Sequence, residues 1–304
     1  MLSHRKGWSF AILLAIFPCV FNARSTNNPP PAPYRTGSSE VRITFFATDE
    51  NDRLVDSVGQ DDFAVVDSGV VIRDFRSLAR SNETNLDVAV LADASESVAP
   101  AFSAITEDVL QLVGLKYEAY ADNISVVTFS GLRPRLLCAT DCRTVARPQL
   151  ESIQPTGATP LFDALVYTAS FMSKRRAPGV RQVVLLFSDG NDTISAASAR
   201  DAVDAVVNSG AVLYTISPVP SGNVSQGTFL LRQMADATGG RSFSMQRSTA
   251  NFIETVLAEQ RSSFVVTYQL PNRTAGFHSL RILPKHNLKL RFHCRRGYYY
   301  DENR

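Results

Sequence analysis

The chain has 304 residues, 44% of them hydrophobic and 20% charged, a balance that suits a folded protein with a sizeable core. With 31 Lys and Arg against 29 Asp and Glu the formal charge is +2, which argues against a surface built to neutralise many phosphates along a nucleic acid. Four cysteines do not make a disulfide-stapled miniature domain, so apolar burial has to supply most of the stability.

Arg5 and Lys6 precede an uncharged run from Trp8 to Phe21, the order of a secretory signal. The run is shorter than the roughly 20 residues a bilayer span requires, so residues 1–23 are expected to be cleaved and to leave no integral membrane segment. The alternative of a lipid anchor at Cys19 is disfavoured by Pro18 before it. Loss of Arg5 and Lys6 makes the mature chain formally neutral, which further disfavours nucleic acid or an anionic membrane as partner. The expected location is therefore secreted, periplasmic or otherwise outside the cytoplasm. Residues 24–40, with Pro29, Pro30, Pro31 and Pro33, form an extended spacer.

Three blocks follow. Residues 41–80 alternate bulky and polar side chains and contain a hairpin signal at Asp67-Ser68-Gly69, so they are predicted to be short strands. Residues 85–261 change period. Leu86 to Ala92, Ile124 to Phe129, Arg181 to Ser188 and Gly210 to Ser217 are nearly continuous apolar runs, as strands covered on both faces require. Between them lie helical spacings, such as Phe102, Ile105, Val109 and Leu112, then Leu161, Leu165, Val166, Ala169 and Met172. Gly210 and Gly239 stand where helices would end. The fold class is α/β, a doubly wound, mostly parallel sheet with helices on both faces. Residues 262–304 return to β-like text and are predicted to pair with residues 41–80 as a small flanking β-sandwich.

The first buried run ends on Asp93-Ala94-Ser95-Glu96-Ser97, and a later one on Asp189-Gly190. Between them Thr159 stands at a loop-to-helix junction. Ligand sites of such sheets lie at the carboxyl ends of the strands, where these segments meet. Two carboxylates and three hydroxyls, with no nitrogen or sulfur donor, suit a hard divalent cation, Mg²⁺ (or Mn²⁺ or Ca²⁺). Each piece also has a plainer explanation: Ser95 or Ser97 as a helix cap, Thr159 as an N-cap before Pro160, and Asp189-Gly190 as a turn.

With these motifs in order, residues 85–261 resemble a von Willebrand factor A-type, integrin I-like domain. The full layout, from "TDENDRLVDS" to "RRGYYY", resembles the von Willebrand factor A-related Acidobacterial domain proteins. The resemblance implies a metal-ion-dependent adhesion site in which Ser95, Ser97 and Thr159 coordinate directly, while Asp93 and Asp189 coordinate directly or through water. It further implies a non-enzymatic, exported binding module whose protein partner presents an Asp or Glu to the cation. Two alternatives stay open: a metal-dependent hydrolase using the same oxygens, and a structural envelope protein with the cage empty.

Cys138 and Cys142 are expected to form a local disulfide in a loop, and Cys294 to be a buried, inert thiol. His278, His286 and His293 fall in the closing β block, away from the expected cleft. Tyr298, Tyr299 and Tyr300 are expected to pack against a sheet, and Lys174-Arg175-Arg176 to form a solvated helix end.

Overall fold

The computed structural model describes residues 40–81, 85–114, 123–140, 142–220, 225–245 and 249–300. The expected signal, Cys19 and the spacer up to residue 39 lie outside them, and Glu40, placed at the end of the spacer, opens the first strand.

The leading strands are β1 (Glu40–Thr48), β2 (Phe63–Asp67), β3 (Val70–Ile72) and β4 (Phe75–Arg80). β2 and β3 form the expected hairpin, turned by Ser68 and Gly69 at φ 48° and 83°. Positive φ at both central residues matches the right-handed twist of the flanking strands.

The α/β unit begins with β5 (Asn85–Asp93), α1 (Phe102–Gly114), β6 (Asn123–Ser130), β7 (Arg133–Cys138) and α2 (Cys142–Glu151). It continues with α3 (Leu161–Ser173), β8 (Val180–Phe187), α4 (Ala199–Ser209), β9 (Val212–Ser217), α5 (Gln226–Thr238), β10 (Ser242–Ser244) and α6 (Thr249–Arg261). The six strands run in the order β10-β9-β8-β5-β6-β7, all parallel except β7, which is antiparallel to β6. Along β5, Val88, Val90 and Ala92 join a core with α1, α2 and α6, while Ala89 and Leu91 join a core with α3, α4 and α5. Burial on both faces is why this strand reads as an unbroken apolar run. Gly210 and Gly239 end α4 and α5 in the left-handed conformation, at φ 80° and 88°.

The closing strands are β11 (Phe264–Gln269), β12 (Gly276–Pro284), β13 (Arg291–Cys294) and β14 (Gly297–Tyr300). They pair with the leading ones in two antiparallel sheets, β13-β1-β11-β4 and β14-β12-β2-β3. Val41, Ile43, Phe45, Phe63, Val65, Val266, Tyr268 and Ile282 fill the space between them. Phe45 lies against Phe63 and Phe264 at centroid separations of 5.1 and 5.7 Å. The sandwich is thus assembled from both flanks, and Arg80 at the end of β4 pairs directly with Phe264 at the start of β11. The α/β unit is inserted between these two neighbours.

Buried polar contacts fix the sandwich and join it to the α/β unit. Asp67 is fully buried and accepts hydrogen bonds from the hydroxyls of Tyr268 (2.7 Å) and Tyr298 (2.8 Å). Tyr299 donates to Asp204 on α4, so two of the three closing tyrosines hold structure together. Arg241, ahead of β10, reaches both Glu259 on α6 (2.6 Å) and Asp52 in the loop after β1 (3.3 Å).

Two expectations are corrected. Cys142 is the first residue of α2 rather than part of a loop, and it is joined to Cys138 by a disulfide with the Cα atoms 5.6 Å apart. Arg175 is no solvated helix end: it turns inward to Asp87 (2.9 Å) and the carbonyl of Ala139 (3.0 Å), over the ring of Phe171. Cys294 is a free thiol, half-buried rather than fully buried as expected, and desolvation pushes its pKa up to about 12, which disfavours the thiolate.

Candidate metal centre

β5 ends on Asp93, which is fully buried, and the chain turns at once into a short 3-10 segment, Glu96–Ala101. The turn is held by Asp93 itself, whose Oδ1 accepts from the backbone N–H of Ser95 at 2.9 Å. Ser95 occupies the cap position of that segment but its side chain makes no cap hydrogen bond. Its Oγ instead stands 3.2 Å from Oγ of Ser97. The capping explanation therefore fails for Ser95, whose hydroxyl is turned toward its neighbour's.

The segment carrying Thr159 is stitched to this turn through the backbone. Thr156 N–H donates to the carbonyl of Ala94 and Glu96 N–H to that of Gly157, both at 3.1 Å, while Gly131 N–H, after β6, donates to Ala158 at 2.8 Å. Thr159 is not the N-cap of α3. That position is taken by Pro160, and the N–H of Thr159 donates to Oγ1 of Thr193 at 2.7 Å. The Thr193 N–H returns a bond to the Thr159 carbonyl at 2.9 Å. Thr159 is 2% exposed, and its own hydroxyl has no part in these contacts.

The third segment follows β8. Ser188 donates from Oγ to Asp93 Oδ2 at 2.7 Å and accepts from Gly190 N–H at 3.1 Å, tying the Asp189 turn to the end of β5. Asp189 accepts from the backbone and side-chain amides of Asn191 at 3.0 and 3.1 Å. Gly190 has φ 84°, and a Cβ there would lie 2.3 Å from the carbonyl oxygen of Gly227 at the start of α5. Sequence reasoning missed Ser188, Asn191, Thr193 and Gly227. The hydroxyl just before Asp189 was a usable signal for Ser188; nothing local to Gly227 announces its contact.

The structure thus brings the Asp93–Ser97, Thr159 and Asp189 segments to one sheet edge. Asp93, Ser95, Thr159 and Asp189 are buried, whereas Ser97 is exposed, so the cluster opens outward on its Ser97 side. Burial raises the Asp93 carboxyl to about 6, against the pull of hydrogen bonds from Ser95 and Ser188, and the Asp189 charge pushes it further up. Negative charge accumulated in a low-dielectric pocket is what an adjacent cation relieves. Among the described residues no three His, Cys, Asp or Glu cluster, and what the three segments could offer a cation is two carboxylates and three hydroxyls. Such a set fits a hard, oxygen-seeking divalent ion.

The von Willebrand factor type A domain profile matches residues 87–259, more than half of the chain. The protein belongs to the von Willebrand factor type A domain family. No curated protein matches the sequence. Similar solved structures include an aerotolerance-related membrane protein from Bacteroides fragilis, at 17% identity over 58% of this chain and 98% of that one, TM-score 0.45. Manganese-loaded TRAP protein from Plasmodium vivax shares 14% identity over 77% and 97%, TM-score 0.45. Proximal thread matrix protein 1 from the mussel byssus, with a zinc-occupied MIDAS motif, shares 16% over 64% and 49%, TM-score 0.45. The family assignment rests on the domain match and not on these likenesses. Among the described residues no helix is long and apolar enough to cross a membrane.

Proposed function

We propose that the protein is an exported, non-enzymatic binding module that captures an acidic side chain of a protein partner through a divalent cation, Mg²⁺ by preference. The observation that carries this reading is the meeting of Asp93, Ser95, Ser97, Thr159 and Asp189 segments at one edge of the sheet. Ser95, Ser97 and Thr159 would offer hydroxyl oxygens, and Asp93 and Asp189 the two formal charges of the set. When bound, the cation supplies an electrophilic centre for a further anionic oxygen.

The chain's own residues do the positioning. Ser188 orients Asp93 from behind, Asn191 orients Asp189, and the Thr159–Thr193 pair fixes the middle loop, so that few groups need reordering when a ligand arrives. A protein, rather than a small acid, is favoured as partner by exposed apolar side chains close in sequence to residues that touch the Thr159 and Asp189 loops. Leu132, Ile194 and Phe229 are 80%, 44% and 55% exposed, next to Gly131, Thr193 and Gly227 or one residue beyond.

The test is capture from an extract of the source cell with Mg²⁺ present, compared with the same capture in chelator. Wild type is expected to retain a partner only with Mg²⁺, and Asp93→Ala to retain none while keeping the wild-type far-UV circular dichroism. Equal recovery by Asp93→Ala, or recovery insensitive to chelator, would overturn the reading.

A further inference from the structure

Arg133 and Arg135 on β7 are exposed, and neither makes a hydrogen bond or an ion pair among the described residues. Arginines turned inward are paired instead: Arg175 with Asp87, Arg241 with Asp52 and Glu259, and Arg296 with Asp204. Two positions apart on a strand, Arg133 and Arg135 project from one face, while Pro134 between them is half-buried on the other.

Backbone pairing sets both arginines against the candidate metal centre. Asp93, the last residue of β5, lies beside Phe129 on β6. Across the β6–β7 hairpin Phe129 faces Pro134, so Arg133 and Arg135, opposite Ser130 and Thr128, flank the level of Asp93. β7 is two strands from β5, about 10 Å at the usual spacing of neighbouring strands. The hairpin is anchored to the middle loop of the site. Gly131 N–H donates to the carbonyl of Ala158, the residue before Thr159, and Gly131 Cα lies 3.6 Å from where a Cβ on Gly157 would stand. Leu132 is 80% exposed at the hairpin tip. Glu96 is exposed in the segment after β5 and pairs with neither arginine.

We infer that Arg133 and Arg135 form a second subsite beside the cation, and that the partner presents a diacidic extended segment. One carboxylate goes to the cation, and another, two to four residues along, goes to the guanidiniums. The pairing of cation and basic subsite rests on the metal-dependent reading of the site and narrows the partner it takes. At about 3.3 Å per residue, three residues of extended chain span about 10 Å. Guanidinium forks accept a carboxylate bidentately, so Asp or Glu is matched there better than a neutral or basic side chain. Leu132 offers an apolar contact to the residues between the two acids.

The probe is a capped, fluorescently labelled Gly-Ser peptide with two Glu three positions apart, compared with the same peptide carrying Gln in place of one Glu. Polarisation is read on the full chain in Mg²⁺ at constant ionic strength. Wild type is expected to bind the diacidic peptide about tenfold more tightly, and added salt to erode that preference. Arg133→Gln and Arg135→Gln are each expected to weaken the diacidic complex about threefold, and the double variant to stop distinguishing the two peptides, all at the wild-type Tm. Chelator or Asp93→Ala is expected to abolish binding of both peptides. Binding that persists in chelator yet still depends on the arginines would sink the metal reading and leave the acidic subsite standing. Equal affinity of wild type for the two peptides, absence of saturable binding by the diacidic one in Mg²⁺, or an undiminished preference in the double variant would overturn the inference. Retention of the Gln peptide only with Mg²⁺ would then leave the metal reading in place.

Discussion

Gly190→Ala tests how the Asp189 turn is held. At φ 84° an alanine costs about 1 kcal/mol in backbone strain alone. Its Cβ would also stand 2.3 Å from the Gly227 carbonyl oxygen, about 1 Å inside ordinary contact, and the obstacle is backbone that cannot rotate away. Forcing the Asp189 turn and the start of α5 apart adds about 2 kcal/mol, the usual scale of overpacking. Gly69→Ala is the matched control, since Gly69 has φ 83° with nothing within 4 Å of its Cβ position. At about 2–4 °C per kcal/mol, Gly69→Ala is expected to lower Tm by about 3 °C and Gly190→Ala by about 9 °C. Both are read by differential scanning fluorimetry in chelator. In a Mg²⁺ titration only Gly190→Ala is expected to lose affinity, because only it displaces Asp189. Equal losses of Tm in the two variants would refute the close-contact argument and leave backbone strain as the whole effect.

Asp93→Asn removes a carboxylate that burial holds at about 6, so in chelator its Tm is expected to equal or exceed that of wild type, while the rise on adding Mg²⁺ disappears; calorimetry with and without metal measures both. His293, stacked on Phe46 and bonded to Thr48 Oγ1, is pushed down to about 4 by burial and by the neighbouring Arg241. The unfolded chain therefore binds more protons between about pH 6.5 and 4, so stability contributed by the neutral ring is complete above that window and falls through it. The loss is about 2 kcal/mol by pH 5. Denaturant unfolding at pH 7.5 and 5 checks this, and His293→Gln is expected to flatten the difference. Tyr298→Phe deletes one of the three hydroxyls, with those of Ser68 and Tyr268, that donate to the buried Asp67, and is expected to cost about 2 kcal/mol in urea unfolding, with Mg²⁺ binding unchanged.

Much of this architecture was legible where burial dominates. The apolar runs of β5, β8 and β9 and the stripes of α1 and α3 follow from faces that must be covered, and those cores form in the structure. The pairing of the two flanks was legible because neither could bury itself alone. α2 was missed since the buried stripe among its described side chains is Cys142, Ala146 and Leu150, set among polar residues and a proline. α5 announced only its end, Gly239, and β10 is three residues long. At the candidate site, acids and hydroxyls are visible as residue types, and so the sequence offers them as candidates. Their supports at Ser188, Thr193 and Gly227 act through tertiary contacts tens of residues apart, which no local pattern encodes.

The adjacency of Arg80 and Phe264 has an engineering consequence. A unit whose two connections leave from neighbouring positions on one sheet behaves as a cassette: its ends already lie as close as a short linker would bring them. Excising the segment between β4 and β11 and closing the gap with a tight turn leaves every strand pair of the sandwich intact. Conversely, the same two strands form a ready socket for grafting another α/β unit with neighbouring termini.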